Sequence, residues 1–216
     1  MASMRMMNLR ASTLLKSAAA AVAVAGTIFF AGATASADDA SALALVQAEQ
    51  AKIEGLLRAN AGVDETNKVI DNFVDWNEFA SRSLGQPCPP AVPQCTNQWA
   101  KLTPDQQKEM TGLLRQVLEK SYRKTISKTL DYNVTYKAIS PSPLGDSRIR
   151  SLAKSKLNPR DPEIQVDYLV KNNCVDMVTE GASVTKNYYD ALNKKLTNEG
   201  YAAAVTMLQK KINAKP

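Results

Sequence analysis

The chain has 216 residues, 44% hydrophobic and 22% charged, with 27 Lys and Arg against 21 Asp and Glu, three cysteines and no histidine. Three of the cations, Arg5, Arg10 and Lys16, fall in the first 37 residues, so the remainder carries 24 cations against 21 acids, a net of only +3. With those charges spread along the chain and no basic stripe interleaved with aromatics, a nucleic-acid partner is excluded, and the absence of histidine removes the commonest general base and metal ligand.

The three early cations precede an apolar run from Ala18 to Ala31 and the small-x-small sequence Ala35-Ser36-Ala37. This predicts a secretory signal over residues 1–37, cut before Asp38. The competing reading, an uncleaved anchor, is disfavoured because the run is alanine-rich and shorter than the roughly 20 apolar residues a spanning helix needs. Residues 38–216 are then long enough for one domain with its own core. From Ser41 to Asn60, Leu43, Val46, Ile53, Leu56 and Leu57 predict a long helix ending near Gly62. A second helix carries Val69, Ile70 and Phe73, and a third opens at Asp75-Trp-Asn-Glu78 with Asp75 as cap and stops at Gly85.

Residues 86–98 follow as a Cys- and Pro-rich loop, Gln86-Pro-Cys-Pro-Pro-Ala-Val-Pro-Gln-Cys95 at its heart. Its prolines exclude helix and ladder, and export to an oxidising compartment favours a Cys88–Cys95 disulfide over a metal site, which would want further Cys or His ligands. Cys174 is left as a small buried hydrophobe. Thr103-Pro104-Asp-Gln106 is a capping box with proline at the first helical position. The helix behind it shows one apolar face, Met110, Leu113, Leu114, Val117, Leu118 and Tyr122.

The period then changes to two. Tyr132, Val134 and Tyr136 alternate with polar residues, as do Ile164, Val166, Tyr168 and Val170, which predicts two strands with one apolar face each. A poorer candidate at Arg148–Leu157 reads as the weakest or edge strand, because Lys154 and Lys156 discourage pairing. Two helices, 183–196 and 199–212, close the chain, and this order of elements predicts an α+β fold.

The stretch Cys174-Val-Asp-Met-Val-Thr-Glu-Gly-Ala-Ser183 holds two carboxylates and a serine. As an active site it is poor. On an extended strand Asp176 and Glu180 lie roughly 13 Å apart, beyond the roughly 5 to 9.5 Å over which paired carboxylates cooperate in glycoside hydrolysis, and Ser183 has no histidine to take its proton. As architecture every residue has a use: Val175, Met177 and Thr179 on one face of a strand, Gly181 for the exit, Ser183 as the cap of the next helix. No catalytic residue, metal or cofactor is assigned.

Four segments in this order, Asp75-Trp-Asn-Glu-Phe-Ala-Ser-Arg-Ser-Leu-Gly85, Trp99-x-x-Leu-Thr-Pro-x-Gln106, Asp176-x-x-x-Glu-Gly-x-Ser183 and Gly200-Tyr-x-x-x-Val-x-x-Leu208, resemble the MlaC or toluene-tolerance family over Asp64 to Ile212. The resemblance implies a monomeric periplasmic phospholipid-binding protein of a Gram-negative cell. Such a protein works with an inner-membrane ABC lipid transporter complex and an outer-membrane lipoprotein/porin complex to maintain outer-membrane lipid asymmetry. It further implies a twisted, mostly antiparallel sheet of about four strands wrapped by N- and C-terminal helices, an NTF2-like cone with an apolar cavity. Three departures stand out: the insertion at Pro87–Asn97, Asn172 where tryptophan is common, and Cys174 where an aliphatic residue is usual.

Under that resemblance the lipid-contacting candidates are Leu114, Val117, Leu118 and Tyr122 of the best helix and Tyr132, Val134, Tyr136, Val166, Tyr168, Val175 and Met177 of the sheet. No covalent step is required: at about 0.8 kcal/mol per CH₂ a 16-carbon chain leaving a bilayer loses about 13 kcal/mol, so a carrier need only replace the bilayer with an apolar pocket. Three alternatives remain at this stage: a carrier of hopanoids or other polycyclic lipids, an interaction module with a solid core, and a small hydrolase on the same cone.

Overall fold

Along the first half, the third and fourth helices begin at side-chain caps the sequence supplies. The computed structural model describes residues 37–123 and 126–214; the export signal expected over residues 1–37 lies, but for Ala37, outside the described residues. Helix α1 (Ala37–Arg58) turns Ala42, Val46 and Glu49 inward, a narrower stripe than its leucines suggest. Helix α2 (Val63–Phe73) ends where the Val74 N–H still bonds to the Ile70 carbonyl at 2.9 Å. At α3 (Trp76–Arg82) Asp75 Oδ1 accepts the Glu78 N–H at 2.9 Å. The reciprocal half of the capping box is not made, because the Asp75 N–H goes to the Cys174 carbonyl and the Glu78 carboxylate is held by Arg82 Nε at 3.0 Å. At α4 (Pro104–Arg123) both halves form, Thr103 Oγ1 accepting the Gln106 N–H at 3.3 Å and Gln106 Oε1 the Thr103 N–H at 3.0 Å.

The sheet is an antiparallel meander in the order β1 (Tyr132–Pro141), β2 (Ser147–Ser155), β3 (Ile164–Val170), β4 (Cys174–Thr179) and β5 (Ala182–Ser183). There are thus five strands rather than about four, the fifth a two-residue strand just before the last helical pair. The expectation that residues 148–157 form the edge is corrected: β2 pairs with β1 from Tyr132↔Ser155 to Pro141↔Ser147 and with β3 from Ser147↔Val170 to Ala153↔Ile164. Lys154 and Lys156 sit at its far end and reach sideways to the Asp161 and Leu130 carbonyls, each at 2.8 Å, so they leave the ladder undisturbed. Helices α5 (Val184–Glu199) and α6 (Tyr201–Asn213) are separated by Gly200, whose φ of 80° breaks what would otherwise be one helix.

Packing divides into three clusters. Phe79, Leu84, Met110, Leu113, Leu114, Val117, Leu192, Ala204 and Leu208 make the helical core of α3 to α6. On one face of the sheet α1 packs Ala42 and Val46 onto Ile149 and Val170, while Leu169, Val175 and Val178 form a smaller cluster of their own. The helical core and the α1-covered face form separate clusters, and apolar side chains from the edges of both meet in the space between them.

Candidate functional site

That space is a cavity of about 560 Å³. Helix α1 gives it Ile53, α2 gives Ile70 and Phe73, α3 gives Trp76 and Phe79, and α4 gives Leu118, Ser121 and Tyr122. The turn after α4 adds Ile126 and Thr129, the sheet Tyr168, Cys174, Asp176 and Met177, and α5 Val184 and Tyr188. Phe73, Trp76, Phe79, Tyr122, Tyr168 and Tyr188 are six of the 13 aromatic residues in the chain, so nearly half of its aromatic side chains meet at this one surface. Edge-on contacts tie them into walls: Phe73 with Tyr168 at 6.2 Å between centroids, Trp76 with Phe79 at 6.1 Å, and Phe79 with Tyr188 at 6.2 Å.

Several of the polar atoms here are spent on the protein itself. Tyr122 donates to Asn67 Oδ1 at 2.6 Å and Trp76 Nε1 to Asp71 Oδ1 at 3.2 Å, and Asp71 also accepts from Arg115 at 2.5 Å, so a row of polar contacts fastens α2 to α4 beside the cavity. Ser121 Oγ returns to the Val117 carbonyl at 2.9 Å. Burial pushes the Tyr122 phenol and the Cys174 thiol up to about 12, Glu119 adding to the first and Asp176 to the second, and it raises Tyr168 further. All three are therefore neutral at physiological pH, and the lining offers a long apolar surface without a free charge.

Asp176 is the one carboxylate on the lining, and its environment answers the question posed by Cys174–Ser183. It is 4% exposed and accepts from the Met177 N–H at 2.8 Å, Ser183 Oγ at 2.6 Å, the Thr185 N–H at 3.0 Å and Thr185 Oγ1 at 2.9 Å. Ser183 Oγ in turn accepts the Lys186 N–H at 3.0 Å as the cap of α5. Glu180 sits at φ 49° beside Gly181 at φ 80°, its carboxylate turned back to the Gln165 N–H and its own N–H bonded to the Gln165 carbonyl. These residues build the β4–β5 turn and the start of α5. Lys186 pairs with Asp190 at 2.6 Å.

Of the residues singled out from sequence, Leu118, Tyr122, Tyr168 and Met177 line the cavity and the other seven do not. Leu114 and Val117 point into the helical core, one stripe round from Leu118 and Tyr122. Tyr136 packs under α1 with its hydroxyl on Gln50, while Tyr132 and Val134 pair with Ser155 and Ala153 at the edge of the sheet. Val166 lies between Ser151 and Thr179. Val175 is displaced by a β-bulge: Leu169 faces Asp176 while the next residue, Val170, faces Cys174, so β4 carries one extra residue and Val175 joins Leu169 and Val178 instead of Met177. Residues missed include Ile70, Phe73, Trp76 and Phe79. In the sequence the first two show only as a helical face, and the other two only as part of a motif.

The Cys88–Cys95 disulfide is formed, with 5.6 Å between Cα atoms, and Cys174 is free and buried. The inserted loop lies against α5, the Thr96 N–H bonding to the Tyr189 hydroxyl at 3.0 Å and Gln98 Nε2 to Asn193 Oδ1 at 2.8 Å. Among the described residues there is no cluster of potential metal ligands, and no helix is long and apolar enough to cross a membrane.

Comparison with known proteins gives two findings. The family model described as MlaC protein matches residues 40–210. A phospholipid-binding protein from Ralstonia solanacearum, solved in complex with a phospholipid, superposes with a TM-score of 0.62 at 18% identity, covering 81% of this chain and 96% of that one. A search of curated protein sequences gave no match.

Proposed function

The chain belongs to the MlaC family, and from that premise and the shape of its interior we propose that it is a periplasmic lipid carrier, holding phospholipid acyl chains in the cavity between the sheet and the helical core. The observation that carries the reading is the cavity itself: about 560 Å³ of space lined mainly by aromatic and aliphatic side chains, its one carboxylate, Asp176, already engaged by the protein. Its lining is mainly apolar, so filling it with an apolar chain removes hydrophobic surface from water. An apolar chain is the occupant its lining would not penalise. The Ralstonia solanacearum protein of the same fold, which binds a phospholipid, supports the assignment of ligand class.

As a carrier the protein exchanges lipid between outer- and inner-membrane complexes, and the chemistry asks only for exclusion of water. Substitution of Leu118 or Met177 by tryptophan places a bulky ring inside the cavity. Both variants are expected to purify with less bound lipid while the emptied protein melts close to wild type. In a solid core the same changes would destabilise by about 1 to 3 kcal/mol through overpacking. Wild-type lipid content in both variants contradicts the assignment of the cavity.

A further inference from the structure

Helices α5 and α6 carry Lys186, Lys194, Lys195, Lys210 and Lys211 against two acids, Asp190 and Glu199. That surplus of three equals the entire excess of cations over acids in residues 38–216, so the rest of that stretch is balanced. Both acids are already engaged, Asp190 by Lys186 and Glu199 by Lys195, each at 2.6 Å. Lys210 and Lys211 are exposed, on the last turn of α6, and neither meets an acidic side chain among the described residues. Lys211 lies 5.4 Å over the ring of Tyr188, whose side chain also lines the lipid cavity.

Between the two helices runs a groove of about 600 Å³. It is lined by Ala203, Thr206, Met207 and Ala214, by Lys195, Lys210 and Lys211, and by Glu199, whose charge Lys195 already meets. The alanines leave the groove open because they fill none of it, and Met207 offers a flexible apolar contact of the kind that adapts to a partner. Met207 is half-buried against the helical core while Lys210 and Lys211 are exposed, so the apolar contact lies below the charged positions, where a side chain of a polypeptide reaches it more readily than a flat bilayer does.

We propose that the α5–α6 groove is a docking site for an acidic amphipathic segment of a protein partner, its carboxylates set against Lys210 and Lys211 and its apolar side chains on Met207. Charge complementarity of this kind sets encounter rate and partner choice, and an apolar stripe laid in a groove supplies the contact area. The proposal stands apart from the lipid reading, since it concerns a different surface and is measured on lipid-free and loaded protein alike.

The test uses the full chain and a synthetic amphipathic peptide with Glu and Leu at helical spacing, with the Lys and Leu peptide of the same pattern and phosphatidylglycerol vesicles as comparators. Binding of the acidic peptide is expected, weakening as salt rises. The K210E/K211E variant is expected to lose about tenfold or more in affinity, while K108E/K137E, the same change of charge on exposed residues elsewhere, keeps it. K210Q/K211Q, which removes charge without reversing it, should fall between, and melting curves of each variant confirm folding. No binding of the acidic peptide, or equal binding by K210E/K211E and the control variant, overturns the proposal. Vesicle binding with the same dependence on Lys210 and Lys211, in the absence of peptide binding, reassigns the surface to membranes.

Discussion

Arg82 and Asp146 form the least exposed ion pair among the described residues, with side chains 5% and 2% exposed. Two parallel bonds of 2.7 and 2.8 Å join them across 64 positions of sequence, and Glu78 takes another face of the guanidinium at 2.8 Å. Burial alone would raise the Asp146 carboxyl, but the Arg82 bonds and charge, with a smaller share from Ser142, hold it below its ordinary value. A depressed folded pKa means that stability from this carboxyl is complete above its unfolded value of about 3.9 and is lost as pH falls through the folded one. Asp146→Asn should therefore destabilise at neutral pH, and the difference in thermal midpoint from wild type should shrink in acid. Arg82→Met strands a buried carboxylate and is expected to cost about 3 to 5 kcal/mol. Gly85 is constrained in another way, with φ 85° and a Cβ position 2.6 Å from the Thr96 carbonyl oxygen and 2.9 Å from the Tyr189 ring. Gly85→Ala is expected to destabilise by about 1 to 3 kcal/mol, measured by denaturant unfolding. At this scale the sequence displayed the Ser183 cap and the Gly181 turn. It did not display Asp176 as the acceptor that holds them together, because nothing local marks a carboxylate whose donors Ser183 and Thr185 lie seven and nine residues away.

Among the elements, those whose start and stop are written in side chains agree with the sequence most closely. Thr103, Pro104 and Gln106 define the start of α4, and the chain turns at Gly85 and Gly200 where glycine signals a stop. Facing was harder to see. The apolar stripe of α4 serves two neighbours, Met110, Leu113, Leu114 and Val117 turning to the helical core and Leu118 and Tyr122 to the cavity, and a helical period cannot tell one apolar surface from another. Alternation in β4 failed because the bulge shifts its phase. The inserted loop is pinned to α5 independently of its disulfide, through Thr96 and Gln98. Because the Cys88–Cys95 disulfide closes only a short loop in the unfolded chain, its reduction should lower stability by about 2 kcal/mol at most. Unfolding curves with and without reductant check this, and the lipid content of the protein should not change.

For the described molecule as a whole, the α+β fold is a device for leaving a space: a sheet covered by α1 on one side of the cavity, a core of α3 to α6 on the other, and aromatic walls between. Cys174 looks into that space and reports on it. Its thiol, pushed up to about 12 chiefly by burial, is protonated at neutral pH and slow to react. A thiol reagent should label the emptied protein faster than the loaded one, whereas equal rates would place the ligand elsewhere. The central claim is tested most directly by extracting the purified, natively folded protein with organic solvent and analysing the extract by mass spectrometry beside the intact complex measured under native conditions. The account predicts a phospholipid released in stoichiometric amount and a matching mass increment on the intact protein, both reduced in Leu118→Trp. A protein that carries no lipid in either measurement, and takes up none from phospholipid vesicles, contradicts it.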